Sequence, residues 1–249
     1  MRNIKLTIEY DGKDFNGWQK QPNKLNIQGT IEQAIKSITN EDVELNASGR
    51  TDAGVHALGQ VANFKTNSQI PIEKFAIAIN SRLKKSIVIK KAEEVDERFH
   101  SRLNCKKKTY RYIINNTPEG TAIYRYLETH IPQKLDVNNM KKAIKYFEGE
   151  HDFKAFKASG TSSKSSVRTI YKTELYEKDN KIYIELTGNG FLYNMVRIIA
   201  GTLIRVGRGF YEPEKIKDIL DARKHTSEGV TAPPNGLVLK EIVYGKEEK

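Results

Sequence analysis

The chain has 249 residues, 38% hydrophobic and 29% charged, enough apolar content to bury a core as one large domain or two smaller ones. Its 42 lysines and arginines against 31 acids leave a formal charge of +11, which favours a polyanionic partner, either nucleic acid or an anionic membrane. Cys105 is the only cysteine, so an intrachain disulfide and a multi-cysteine zinc site are excluded, and the five histidines show no HExxH spacing. The most apolar run, "FLYNMVRIIAGTLIRV", carries Arg197 and Arg205 and is too short to span a bilayer. "MRNIKLTIEY" alternates like a strand rather than a signal peptide, and a reducing cytoplasm is the expected compartment.

Taken in chain order, "IKLTIEY" places Ile4, Leu6, Ile8 and Tyr10 on one face of a strand. "TIEQAIKSI" reads as a helix opened by a capping box of Thr30 and Gln33, with Ile31, Ile35 and Ile38 inward. "VELNAS" and "QVANFKT" read as strands on either side of a glycine-rich segment. "PIEKFAIAINSRL" has Pro71 at a helix start and Ile72, Phe75, Ile79 and Leu83 on one stripe. "SIVIKKAEEV" and "KKKTYRYIIN" follow as strands. "DVNNMKKAIKYFEG" is a helix capped by Asp136 and stopped at Gly149. "TIYKTELYEKDNKIYIELTG" is a hairpin turning at Asp179-Asn180. "FLYNMVRIIAGTLIRVG" reads as a buried helix, "EPEKIKDILD" as a short one, and "GLVLKEIVY" as a closing strand.

This order predicts an α+β chain of two α/β halves with mixed or antiparallel sheets, residues 1–105 and 106–249. The segment 156–168, "FKASGTSSKSSVR", is irregular and rich in Ser, Gly and Lys. Its Lys157, Lys164 and Arg168 suit phosphate contact as well as they suit a plain surface loop.

The chemistry concentrates in "ASGRTDAGVHALGQVANF". Asp52 lies between two expected strands, among small neighbours that let a ligand approach the backbone. Arg50, two residues earlier, points to the same side in an extended segment, where it would keep the acid ionised or reach a phosphate or base. A turn-forming Asp beside a solvated Arg is the blander alternative. His56 lacks further ligands at metal spacing, and no GxSxG elbow, P-loop or dinucleotide fingerprint is present. Tyr110, in "KKKTYRYII", sits among cations as a base-stacking strand would have it, yet it shares parity with Tyr112 and could equally face the core. Arg197 is a charge inside an apolar run. It needs a partner or a cavity, and Asp52 is one candidate, unless it snorkels from a helix edge.

Together these motifs resemble one family. "GRTDAGVHALGQVANF" is similar to the catalytic motif of the TruA family of tRNA pseudouridine synthases. "YDGKDFNGWQ", "RFHSRLNCKKKTYRYII", "SVRTI", "GNGFLYNMVRIIAGTLIRVGRG" and "TAPPNGLVLKEIVY" resemble its other blocks in order, over nearly the whole chain. The chain departs from the family at Ser101, Leu103, Asn104 and Cys105. The resemblance implies the pseudouridine synthase fold with a central cleft, Asp52 as the catalytic aspartate, Arg50 as an RNA-contacting residue that displaces the target base, Tyr110 packed on the flipped uracil, and Arg197 paired with Asp52. It further implies tRNA as partner, uridines 38 to 40 of the anticodon stem–loop as targets, a homodimer, and neither metal nor organic cofactor.

Such a reaction cuts uracil N1 from ribose C1′ and joins C5 in its place. An ionised aspartate could attack C1′, add to C6, or take a proton from C2′, and the sequence favours none of the three. Two rival classes stay open at this stage. A non-catalytic RNA-binding module needs no acid at position 52, and a base-excising glycosidase normally needs two carboxylates.

Overall fold

The computed structural model describes residues 1–160, 165–222 and 230–245. The chain separates into two compact units, one of Met1–Lys106 with the chain from Leu239 onward, the other of Lys107–Val238. Both combine helices with strands, in accord with the α+β class read from the sequence.

The first unit holds β1 (Arg2–Tyr10), α1 (Ile27–Thr39), β2 (Asn46–Ala47), β3 (His56–Thr66), α2 (Ile72–Asn80) and β4 (Ile87–Val95). The last strand of the chain, Leu237–Tyr244 (β10 in chain order), joins it beside β3, giving the order β4-β1-β3-β10 with β2 also on β3. The period-two pattern of β1 buries Ile4, Leu6, Ile8 and Tyr10. They run antiparallel to β3, with Ile4 opposite Phe64, Leu6 opposite Ala62 and Ile8 opposite Gln60. A bulge between Ile8 and Tyr10 re-aims the end of β1.

Two local expectations are corrected here. Helix α1 starts one turn before the expected capping box: Asn26 Oδ1 accepts the Gly29 N–H at 2.8 Å, while the Thr30 hydroxyl donates back to the Asn26 carbonyl. An Asn one turn upstream is as good a cap as Thr, so the helix extends to it. "VELNAS" is a strand only at Asn46–Ala47. Just before it, the Leu45 N–H goes to Glu32 Oε1 at 3.1 Å, where a ladder partner would otherwise be.

The second unit holds β5 (Cys105–Asn115), β6 (Thr129–His130), α3 (Val137–Ile144), β7 (Gly149–Asp152), β8 (Val167–Lys178), β9 (Lys181–Gly188), α4 (Met195–Gly207) and α5 (Lys215–Ala222). Its strand order is β5-β9-β8-β7, with β6 parallel on β5. The hairpin turns at Asp179 and Asn180, both at positive φ (51° and 59°), as a two-residue loop in right-twisted strands requires. Asp136 caps α3 through the Asn139 N–H. Helix α4 begins at Met195 rather than Phe191, because Asn194 is left-handed (φ 58°) and breaks any earlier helical turn. Gly201 on α4 admits the Val230 carbonyl so closely that a Cβ would lie 1.8 Å from its oxygen.

Candidate active site

The sequence-predicted residues divide between the units: Arg50 and Asp52 in the first, Tyr110 and Arg197 in the second.

Asp52 is half-buried on the loop between β2 and β3, and Arg50 is exposed on the same loop. The loop owes its shape to backbone contacts. The Asp52 carbonyl accepts the Val55 N–H at 3.1 Å across a turn that Gly54 permits with φ 78°. The 10–18 segment grips both sides of the acid. The Trp18 N–H donates to the Thr51 carbonyl at 3.0 Å, and the Gly54 N–H to the Phe15 carbonyl at 3.3 Å. Gly17 lies so close that a Cβ would stand 2.6 Å from the Thr51 oxygen and 3.1 Å from the Asp52 carbonyl carbon. Its φ of 83° disfavours any other residue as well. At Gly12 a Cβ would come within 1.9 Å of the Val55 oxygen. The "YDGKDFNGW" motif is therefore the backbone mould of the Asp52 loop, which explains its glycines physically.

His56 closes the loop and is buried. Its Nδ1 lies 3.0 Å from the Gly12 N–H and 3.1 Å from Asp11 Oδ1. This ties the start of β3 to the turn after β1. His56 is placed as a structural tie of the loop. Among the described residues, no group of three or more His, Cys, Asp or Glu could hold a metal ion.

Tyr110 sits on β5 opposite Leu186 and is 8% exposed. Its ring meets Phe191 edge-on, with centroids 5.2 Å apart and planes at 81°. Tyr112, on the same face, is fully buried, and its hydroxyl is satisfied by Thr129 Oγ1 at 2.6 Å and the Pro233 carbonyl at 2.9 Å. Burial pushes the Tyr112 hydroxyl pKa well above its ordinary value. The interleaving seen in "KKKTYRYII" thus sorts by depth. Lys106 and Lys107 are exposed while the tyrosines are buried, and Lys107 stands over the exposed Tyr171 ring of β8 at 5.4 Å.

Arg197 lies in the first turn of α4 and is half-buried. Its Nε donates to the Ala232 carbonyl at 2.8 Å and its Nη1 to Asn194 Oδ1 at 2.9 Å, while the Ala232 N–H returns to the Arg197 carbonyl at 3.1 Å. These bonds engage the Nε and one Nη of the guanidinium that made the residue conspicuous in an apolar run. Of the loop cations, Arg168 is half-buried and donates to the Ser165 and Val167 carbonyls at 3.1 and 2.6 Å. Lys164 lies outside the described residues.

Two residues escaped the sequence reading. Gln60 was taken as the first position of an ordinary strand, and Tyr10 as a plain core aromatic. Both touch the loop from beneath: the Tyr10 hydroxyl lies 2.7 Å from Thr51 Oγ1, and Gln60 Nε2 donates to the Gly49 carbonyl at 2.9 Å. A signal was available, because Gln60 shares strand parity with Ala62 and Phe64, and a polar side chain on a core-facing parity needs partners.

Sequence comparison agrees with this picture. The family profile described as tRNA pseudouridine synthase matches residues 6–104 and 143–245. The chain is 51% identical over 244 residues to a tRNA pseudouridine synthase A of Acetivibrio thermocellus, covering 98% of this chain and 100% of that protein. It is 52% identical, with the same coverage, to tRNA pseudouridine synthase A 2 of Clostridium perfringens and to a tRNA pseudouridine synthase A of Caldicellulosiruptor saccharolyticus.

Proposed function

The chain belongs to the tRNA pseudouridine synthase family, and from that premise we propose that it isomerises uridine to pseudouridine in tRNA with Asp52 as the catalytic carboxylate. The observation that carries the reading is the Asp52 loop. It is a half-buried acid on a backbone moulded by Gly12 and Gly17 and flanked by an exposed arginine.

Each residue has a physical task in this reading. The target base is stacked in RNA and must be extruded, at a cost of a few kcal/mol. Arg50, exposed on the loop, offsets that cost by filling the vacated space. Tyr110, its ring already braced by Phe191, packs on the extruded uracil. Arg197 contributes a substrate-binding cation. Asp52, ionised, either attacks C1′, adds to C6 or takes the C2′ proton. The N1–C1′ bond breaks, the base turns over, C5 bonds to C1′, the C5 proton leaves and N1 takes up a proton. The isomerisation is redox-neutral.

The targets we propose are uridines 38 to 40 of the anticodon stem–loop, modified by a cytoplasmic homodimer. Support comes from the family and, for RNA affinity, from the excess charge of +11. Mapping pseudouridine on whole tRNA after treatment tests this. New sites confined to 38–40 are expected, and new sites elsewhere, or none, would contradict it. Affinity for tRNA is expected to fall steeply with salt, and a flat salt profile would remove the phosphate-binding surface.

A further inference from the structure

Beneath the Asp52 loop lies a buried polar network with no counterpart in the hydrophobic logic of the unit. Gln60 is 0% exposed, Ser48 0%, Tyr10 3% and Thr51 7%. Gln60 Oε1 accepts from the Ser48 hydroxyl at 2.7 Å and from the Val61 N–H at 3.1 Å. Its Nε2 donates to the Gly49 carbonyl at 2.9 Å. Gln60 thereby uses one donor hydrogen and both acceptor positions of its amide. The Tyr10 hydroxyl reaches Thr51 Oγ1.

Four buried polar side chains are a costly way to fill the middle of a sheet. Apolar residues of the same shape would serve stability as well or better. What the network provides is a fixed position for the main chain at Ser48 and Gly49 and for the side chain of Thr51, on both sides of Arg50 and immediately before Asp52. The glycine contacts mould the loop from the 10–18 side, and the network holds it from the strands β1 and β3. Burial raises the Tyr10 hydroxyl pKa, so at neutral pH it stays a phenol able to donate.

We infer that Gln60 and Tyr10 are positioning residues for the isomerisation: through Gly49 and Thr51 they hold the loop in the one orientation that aims the Asp52 carboxylate at its substrate. The inference rests on the reading of Asp52 as the catalytic carboxylate. Catalytic groups must be held to within about 0.5 Å, and a misplacement of about 1 Å costs on the order of 100-fold in rate.

The test compares single-turnover rates and tRNA dissociation constants for the full-length wild type, Gln60→Met, Tyr10→Phe, Asp52→Asn and Ile79→Ala, well below every melting temperature. Ile79 is a fully buried apolar residue of α2 that takes no part in the network's hydrogen bonds, and it reports what loss of stability alone does. Gln60→Met is expected to slow the step by about 10- to 100-fold and Tyr10→Phe by about 3- to 10-fold, both with dissociation constants within about twofold of wild type. Ile79→Ala is expected to lower the melting temperature and keep the rate. If Gln60→Met and Tyr10→Phe melt earlier but turn over like wild type while Asp52→Asn is inactive, the network is only structural and the inference is wrong. If Asp52→Asn keeps its rate, the reading of Asp52 itself has failed. Should Gln60→Met not fold, Tyr10→Phe decides alone, because it removes one oxygen; a wild-type rate in that variant overturns the inference.

Discussion

The loop that carries Asp52 leads into β3 and the helical turn that carries Arg197 opens α4, and they are held in different ways. The first is fixed from outside: glycines on the 10–18 segment admit it, and Tyr10 and Gln60 reach it from neighbouring strands. The second is fixed through its own candidate side chain, the guanidinium of Arg197 bonding locally to Asn194 and to Ala232 of a later segment. In the first case the bonds described for the loop run through its main chain and through Thr51. In the second the candidate side chain does much of the structural duty itself. The contrast predicts that substitutions of the acid will affect rate far more than stability, whereas substitutions of the arginine will mix stability with function.

The largest expected effect comes at the acid. Asp52→Asn should lower turnover by about 10⁴-fold or more with tRNA affinity and melting temperature nearly unchanged, read from single-turnover kinetics, filter binding and thermal unfolding. A matching loss of stability would break the comparison, because it would mean that the acid also builds the loop.

Next come the glycines. Gly17→Ala meets the Thr51 and Asp52 backbone as well as the strain of φ 83°, whereas Gly209 (φ 73°) has open space where a Cβ would go. Gly17→Ala is therefore expected to destabilise by about 2–4 kcal/mol and to reduce the rate by at least about 10-fold. Gly209→Ala should cost only the backbone strain, about 1 kcal/mol, and leave the rate alone. Denaturant titration and kinetics on the pair isolate the close approach from the dihedral angle.

Arg197→Met should destabilise by about 1–3 kcal/mol through the lost bonds to Ala232 and Asn194, with weaker tRNA binding as a second effect. Equal stability in this variant would show that the turn is not held by the guanidinium.

The smallest effect is electrostatic. Lys145, with further bonds from Thr173, holds the Glu148 carboxyl down to about 2 from 4.5. Its folded-state pKa is depressed, so its contribution is present above pH about 4.5 and is lost as the pH falls towards about 2. Glu148→Gln should flatten the acid limb of the stability curve in that window. The effect is modest because the group is partly exposed and screened. It should also leave the rate at neutral pH unchanged.

The sequence carried the parts of this account that depend on local pattern. The alternation of Ile4, Leu6, Ile8 and Tyr10 marked β1, Asp136 marked a helix start, and Asp179-Asn180 marked the hairpin, each through a rule acting within a few residues. Asp52 stood out because an acid among small residues has few local explanations. What pattern could not supply was contact between distant segments. Gly12 and Gly17 entered only as part of "YDGKDFNGWQ", and only the fold brings Thr51 and Val55 against them. Gln60 read as a strand residue, and only the β2–β3 pairing sets it against Ser48 and Gly49. Thr30 looked like a cap because Asn26, four residues earlier, competes for the same task on equal chemical terms.

The most direct test uses a tRNA transcript labelled with tritium at uracil C5. Wild-type protein should release the label to water with no free uracil, and Asp52→Asn should bind the transcript and release nothing. Free uracil in the products, no release by the wild type, or undiminished release by Asp52→Asn would contradict the account.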